Sequence, residues 1–131
     1  MLFIDNKQKE FFLKKVAELG IENDVERLAL VYALSLTSNC RARFSHCYDT
    51  KERCVRADVL KCGWVTSADS KAIRLGFHLF TWGTPTAFSI TDNEKREEEI
   101  RRYLPIELFC CSLAPYFVEA IKIRYPEYFG E

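Results

Sequence analysis

Asn23-Asp24-Val25-Glu26-Arg27-Leu28-Ala29-Leu30-Val31-Tyr32-Ala33-Leu34-Ser35-Leu36 is the stretch on which the fold turns. Asn23 followed three residues later by Glu26 is a capping-box start. Val25, Leu28, Ala29, Val31, Tyr32, Leu34 and Leu36 then leave almost no polar side to the helix. A helix that is apolar all round has to be surrounded by other elements, so the reading is a central buried helix in a helix-on-helix core.

Working outward, Asp5 with Gln8 is a second capping-box start, and Phe11, Phe12, Val16 and Leu19 follow at helical spacing until Gly20, which predicts a helix over 6–19. Between Ser38 and Gly63 the pattern predicts only short helical turns, around 41–48 and 57–61, the second closed by Gly63 as a left-handed cap. Thr66 with Asp69 opens a long helix running to about Trp82, and Gly83-Thr84-Pro85-Thr86 ends it. The loop 83–90 has room for an extended piece over 87–90. Thr91 with Glu94 starts the charged, mostly solvated segment 92–102. Pro105 and Pro115 stand at first-turn positions of two more helices, 105–112 and 115–124, and Pro126 ends the last. Strand-like alternation is scarce and there is no internal repeat. The expectation is a mainly α, single-domain compact helical fold of about five to seven helices over residues 1–131.

With 131 residues, 48% hydrophobic and 14% aromatic, the chain has enough apolar surface for one core without disulfides or a structural metal, and is too short for separate catalytic and binding domains. Nineteen Lys+Arg against nineteen Asp+Glu remove the overall positive field that duplex nucleic-acid binding uses, so any charge-driven function is local. No secretory leader pattern and no membrane-length apolar run appears, so a cytoplasmic protein that does not engage the membrane is expected. In that compartment Cys40, Cys47, Cys54, Cys62, Cys110 and Cys111 are free thiols. Zinc on Cys40, His46, Cys47 and Cys54 is the competing reading. However, structural sites draw ligands in close pairs, and these thiols lie seven residues apart, two helical turns, which suits small buried hydrophobes on one helical side. No metal and no cofactor is expected. Cys110 and Cys111 read as helix core.

The candidate site lies on the long helix. Ser67, Ser70, Lys71, Arg74 and His78 recur at three- and four-residue steps and so form one stripe. Thr66 and Ser67 stand where backbone N–H groups and the helix dipole favour an anion. Arg74 can fork onto acidic oxygens, Lys71 adds a point charge, and Trp64 or Trp82 can stack on a ring. These eight residues, Trp64, Thr66, Ser67, Ser70, Lys71, Arg74, His78 and Trp82, are the expected ligand-binding set. The plainer alternative has Thr66 and Ser67 merely capping the helix, Lys71 solvated, Arg74 paired with Asp69 or Glu119, and the tryptophans filling the core. Residues 40–75 carry eight Lys+Arg against four acids, which fits an anionic partner for the middle of the chain. No glycine-rich phosphate loop, metalloprotease helix or nucleophile elbow is present.

The segments 3–12 (FIDNKQKEFF), 63–66 (GWVT) leading to 74–77 (RLGF), and 114–128 (APYFVEAIKIRYPEY) resemble an uncharacterised family of small proteins found mainly in phages and mobile elements of Gram-positive bacteria. The resemblance spans nearly the whole chain and implies no activity. It implies a setting in which small cytosolic proteins interfere with host defence, by occupying an effector or sequestering a nucleotide signal.

Three functions follow as expectations. The first is a non-enzymatic binding protein that sequesters an anionic, nucleotide-like small molecule between aromatic side chains. The alternative is a protein inhibitor of a host nuclease or other defence effector, acting through the basic middle or the acid-rich stretch Glu94–Glu99. The third is a small enzyme using Cys47 or Cys54 with His46 or His78. Abundant Phe and Tyr leave apolar surface that a homodimer would use.

Overall fold

The computed structural model describes residues 1–88 and 91–129. Its helices in chain order are α1 (Asn6–Leu19), α2 (Val25–Leu34), α3 (Ser38–Ala42), α4 (Phe44–Cys47), α5 (Ser67–Thr81), α6 (Asn93–Arg101), α7 (Pro105–Leu108), α8 (Ala114–Arg124) and α9 (Pro126–Phe129). A two-stranded antiparallel hairpin, β1 (Tyr48–Asp49) with β2 (Cys54–Val55), pairs Tyr48 with Val55 and Asp49 with Cys54. A 3-10 helix covers Ala57–Lys61.

The mainly helical architecture agrees with the expectation, but the count does not: the described residues hold nine α-helices, not about five to seven. The surplus comes from the short helices α3, α4 and α9, only four or five residues long, while α7, expected over 105–112, stops at Leu108. A single turn cannot repeat an apolar position along one face, so it leaves no periodic signal, and tertiary packing alone stabilises it. Pro126 ends α8, as expected, because the residue before a proline avoids helical backbone, and it also opens α9. The expected extended piece is not seen at Ala87 and Phe88, which are bends, and its remainder, residues 89–90, lies outside the described residues.

Helix α2 is the axis of the core, and residues 29–36 are all buried. It packs most extensively on α5, then on α8, with α1 against another side. Its cap is Asp24, one residue later than the sequence pattern suggests. Asp24 Oδ1 accepts the Arg27 N–H at 3.1 Å while Oδ2 holds the Arg27 guanidinium at 2.7 Å. Aromatic edges close the core between α1 and α2, with Phe12 and Tyr32 centroids 5.8 Å apart. Gln8 does not complete a box with Asp5. It is fully buried, accepts the Ile4 N–H at 2.6 Å and donates to Ser35 at 3.1 Å, tying α1 to the end of α2.

Gly20 adopts the left-handed conformation that ends α1. Gly63 does not: the 3-10 helix ends at Cys62 in extended backbone, and among the described glycines only Gly20 has positive φ. The left-handed cap of α5 is Trp82, at φ 66°.

All six cysteines are free thiols, but they do not share one helical side. Cys40 and Cys47 are buried on α3 and α4, whereas Cys54 is exposed on the hairpin. Cys110 is exposed and Cys111 half-buried beyond the end of α7, so neither is helix core. An aromatic disulfide reagent is expected to label Cys54 and Cys110 in the folded chain, and Cys40 and Cys47 only as fast as the chain unfolds. Equal rates at all six would contradict this burial.

Candidate functional site

Helix α5 begins where it does because Thr66 and Asp69 cap each other. Thr66 Oγ1 accepts the Asp69 N–H at 3.2 Å, and Asp69 Oδ2 accepts the Thr66 N–H at 2.9 Å and its hydroxyl at 3.0 Å. The same oxygen accepts Asn39 Nδ2 at 2.9 Å, which anchors α3 to this corner. Asp69 is therefore 1% exposed and unavailable to Arg74. Burial acts to raise its pKa, but the hydrogen bonds from the Thr66 backbone, Asn39 and the Thr37 and Thr66 hydroxyls outweigh it and hold the carboxyl below the usual aspartate value.

From this start the stripe runs as its spacing predicts. Ser67, Ser70, Lys71 and Arg74 line a cleft of about 280 Å³ whose other wall is Arg102, after α6, and Glu107, on α7. The Lys71 ammonium donates to the Cys110 carbonyl at 3.1 Å, Ser70 donates back to the Ser67 carbonyl at 2.8 Å, and Arg102 pairs with Glu98 at 3.0 Å. Arg74 is the unusual member. Its side chain is only 6% exposed, it forms no ion pair among the described residues, and its Nε is buried without a hydrogen-bond partner. Burial lowers its pKa; the proximity of Tyr103 and Glu99 acts in the opposite direction, and Arg102 adds to the lowering. Glu99 is itself buried and forms no ion pair with Arg74, its Oε1 accepting the Ala87 N–H at 3.0 Å, and the Tyr103 hydroxyl donates to the Pro85 carbonyl at 2.6 Å.

The other four expected residues do not line the cleft. Thr66 is occupied by the cap. His78 lies one turn beyond Arg74, exposed, with Nδ1 2.6 Å from the Gly83 carbonyl, which fits an Nδ1–H donor. Trp64 sits before α5 beneath Arg43, 5.3 Å from guanidinium carbon to ring, its Nε1 buried and unbonded. Trp82 is at the far end of α5, ~22 Å along a 15-residue helix. It is 73% exposed, donates to Glu26 at 2.8 Å and stacks on Arg124. The two indoles thus stand at opposite ends of the helix and do not sandwich a ligand between them.

Arg102, Glu107, Glu99 and Tyr103 were missed by sequence reasoning. The step from Glu99 to Tyr103 hints at an inward face on an otherwise solvated helix. Arg102 and Glu107 carry no local signal, because only the turn at Leu104-Pro105 brings them across from α5.

A larger cavity of about 620 Å³, lined by residues that include Ser45, His46, Arg56, Asp58 and Cys62, lies beside the hairpin. Its guanidinium is already neutralised, with Arg56 on Asp49 at 2.8 Å, so it offers a weaker case for a charged ligand despite its size. Cys47 is fully buried, and its thiol is pushed up by donating to Cys40 and by burial, opposite to what a nucleophile needs. Among the described residues no group of three or more His, Cys, Asp or Glu converges as a metal site, and no helix is long and apolar enough to cross a membrane.

Fold and cleft together define a small, mainly helical protein with a basic recess at the start of a buried helix. Residues 1–131 match the model described as a family of unknown function (DUF6075), and the protein belongs to that family. No curated protein and no solved structure matches the chain.

Proposed function

We propose that this protein is a non-enzymatic binding protein that seats the anionic group of a small molecule in the cleft at the start of α5. The observation that carries this reading is Arg74. A buried guanidinium whose Nε has no hydrogen-bond partner carries a desolvation cost that the nearby Glu99 offsets only in part. A fold that retains one, lining a recess beside Lys71, Ser67 and Ser70, is suited to an anion that supplies the missing acceptors. The helix start contributes less than its position suggests, since the Asp69 N–H is already taken by Thr66. Base stacking between tryptophans drops out of the reading because the indoles lie elsewhere. Holding a ligand without turning it over suits sequestration, the role the sequence resemblance implies.

The test separates binding from stability. Adding orthophosphate to the wild-type chain is expected to raise its melting temperature, since a ligand at about 100 times its Kd stabilises by ~2.7 kcal/mol. In Arg74→Met that shift is expected to vanish. The ligand-free variant should stay within about 1 kcal/mol of wild type, because losing the guanidinium's desolvation cost offsets losing its attraction to Glu99. No anion-induced shift in wild type, together with an Arg74→Met variant destabilised by ~2 kcal/mol or more, would make Arg74 a structural residue and end this reading.

A further inference from the structure

Resting on the reading that the α5 cleft is an anion site, we infer that its ligand is a small phosphomonoester bearing a hydroxyl, of sugar-phosphate size. The phosphate lies against Lys71 and Arg74, and the hydroxyl donates to Glu107. Charge selects the anion. Three cations, Lys71, Arg74 and Arg102, face one carboxylate in the lining, and Arg102 is partly neutralised by Glu98. With Glu98 on Arg102 and Glu107 left to meet the ligand's donor, Lys71 and Arg74 present two cationic groups to one anionic group. This pair suits a phosphomonoester, which carries about −1.5 to −2 near pH 7 and presents several acceptor oxygens to guanidinium, ammonium and the Ser67 hydroxyl.

Glu107 selects the rest of the molecule. It is exposed, has no ion pair among the described residues, and stands in the same recess as the cations. A second anionic group pressed against it would be repelled, so the part of the ligand facing it donates a hydrogen bond. The same repulsion works against polyphosphates and nucleic-acid backbone. Size and lining agree. About 280 Å³ is at the low edge of small-molecule sites, which run ~300–1,000 Å³, and no aromatic side chain is in the lining to take a base.

The experiment is calorimetric titration of the wild-type chain with methyl phosphate, glycerol 3-phosphate and ribose 5-phosphate, repeated on Glu107→Ala and Glu107→Gln. The hydroxylated esters are expected to bind about tenfold tighter than methyl phosphate, the scale of one hydrogen bond to a charged group. In Glu107→Ala that preference should fall to near unity, while methyl phosphate binds as well or better. Glu107→Gln, which keeps an acceptor but not the charge, should fall between. Affinity should also weaken as pH drops through the phosphate's second pKa near ~6. Equal affinity for all three esters, or a preference that survives in Glu107→Ala, would overturn the ligand class while leaving the anion site intact. No binding of any ester or of orthophosphate would remove both.

Discussion

Asp69→Ala is expected to destabilise the chain by about 3 kcal/mol or more, read as a lower urea midpoint at unchanged slope. One buried carboxylate oxygen accepts from the Thr66 N–H, the Thr66 hydroxyl and Asn39 Nδ2. Hydrogen bonds to a charged group contribute ~1.5–3 kcal/mol each, and truncation strands the donors as well as losing the bonds. Asp69→Asn keeps one acceptor oxygen and should lose about half as much. A loss under ~1 kcal/mol in the alanine variant would mean that the corner joining α3 to α5 is held by something else.

The same residue sets a pH dependence whose sign can be worked out. The folded Asp69 pKa lies below its unfolded value of ~3.9, so its contribution is complete above that value and is lost as pH falls through the lower, folded value. Asp24, half-buried but held by Arg27, and Asp49, held by the Glu52 and Lys51 backbone N–H groups, are depressed too. The acid limb of the stability curve should therefore shrink in Asp69→Ala without disappearing.

Gly76→Leu is the second large effect, expected near the upper end of overpacking costs, about 3 kcal/mol. Gly76 is buried in the middle of α5, facing α2. A Cβ there would stand 3.2 Å from both Ala33 Cβ and Leu30 Cδ1, and 3.5 Å from the Leu30 carbonyl oxygen. That close approach makes α2 and α5 the most extensive helix pair in the fold, and a leucine would have to push them apart. Gly76→Ala is a useful contrast. Its gain in helix propensity, ~1 kcal/mol, works against a contact that needs a shift of only a few tenths of an ångström, so a net change within ~1 kcal/mol is expected. Thermal melts of the two variants that fall together would show that the helices are not in tight apposition at this point.

How much was legible in the sequence follows from how local each feature is. The spans of α1, α2, α5 and α8 are written in apolar spacing and capping chemistry, and the structure keeps them within a residue or two. The shift of the α2 cap from Asn23 to Asp24 is a choice between two good capping residues. It is decided where the turn from Ile21 closes, with the Asp24 N–H on the Ile21 carbonyl at 2.9 Å. The stripe from Ser67 to Arg74 was also local, because three- and four-residue steps place side chains on one helical face whatever surrounds them. The places of the tryptophans are not legible in this way. Being near a helix in sequence says nothing about which end of a ~22 Å rod they occupy relative to a site.

What the sequence determined by itself was therefore a helical chain with α2 at its centre and a cationic stripe on α5, since both depend on contacts within a few turns. Only the tertiary structure decided that Arg74 is buried with its Nε unbonded, that Asp69 is spent on a cap, and that Arg102 and Glu107 form the opposite wall. Those facts depend on how residues some thirty positions apart meet when α6 and α7 dock across α5. Electrostatic pairing in a folded chain follows from distance and desolvation in space, and neither is encoded in the order of residues along one helix.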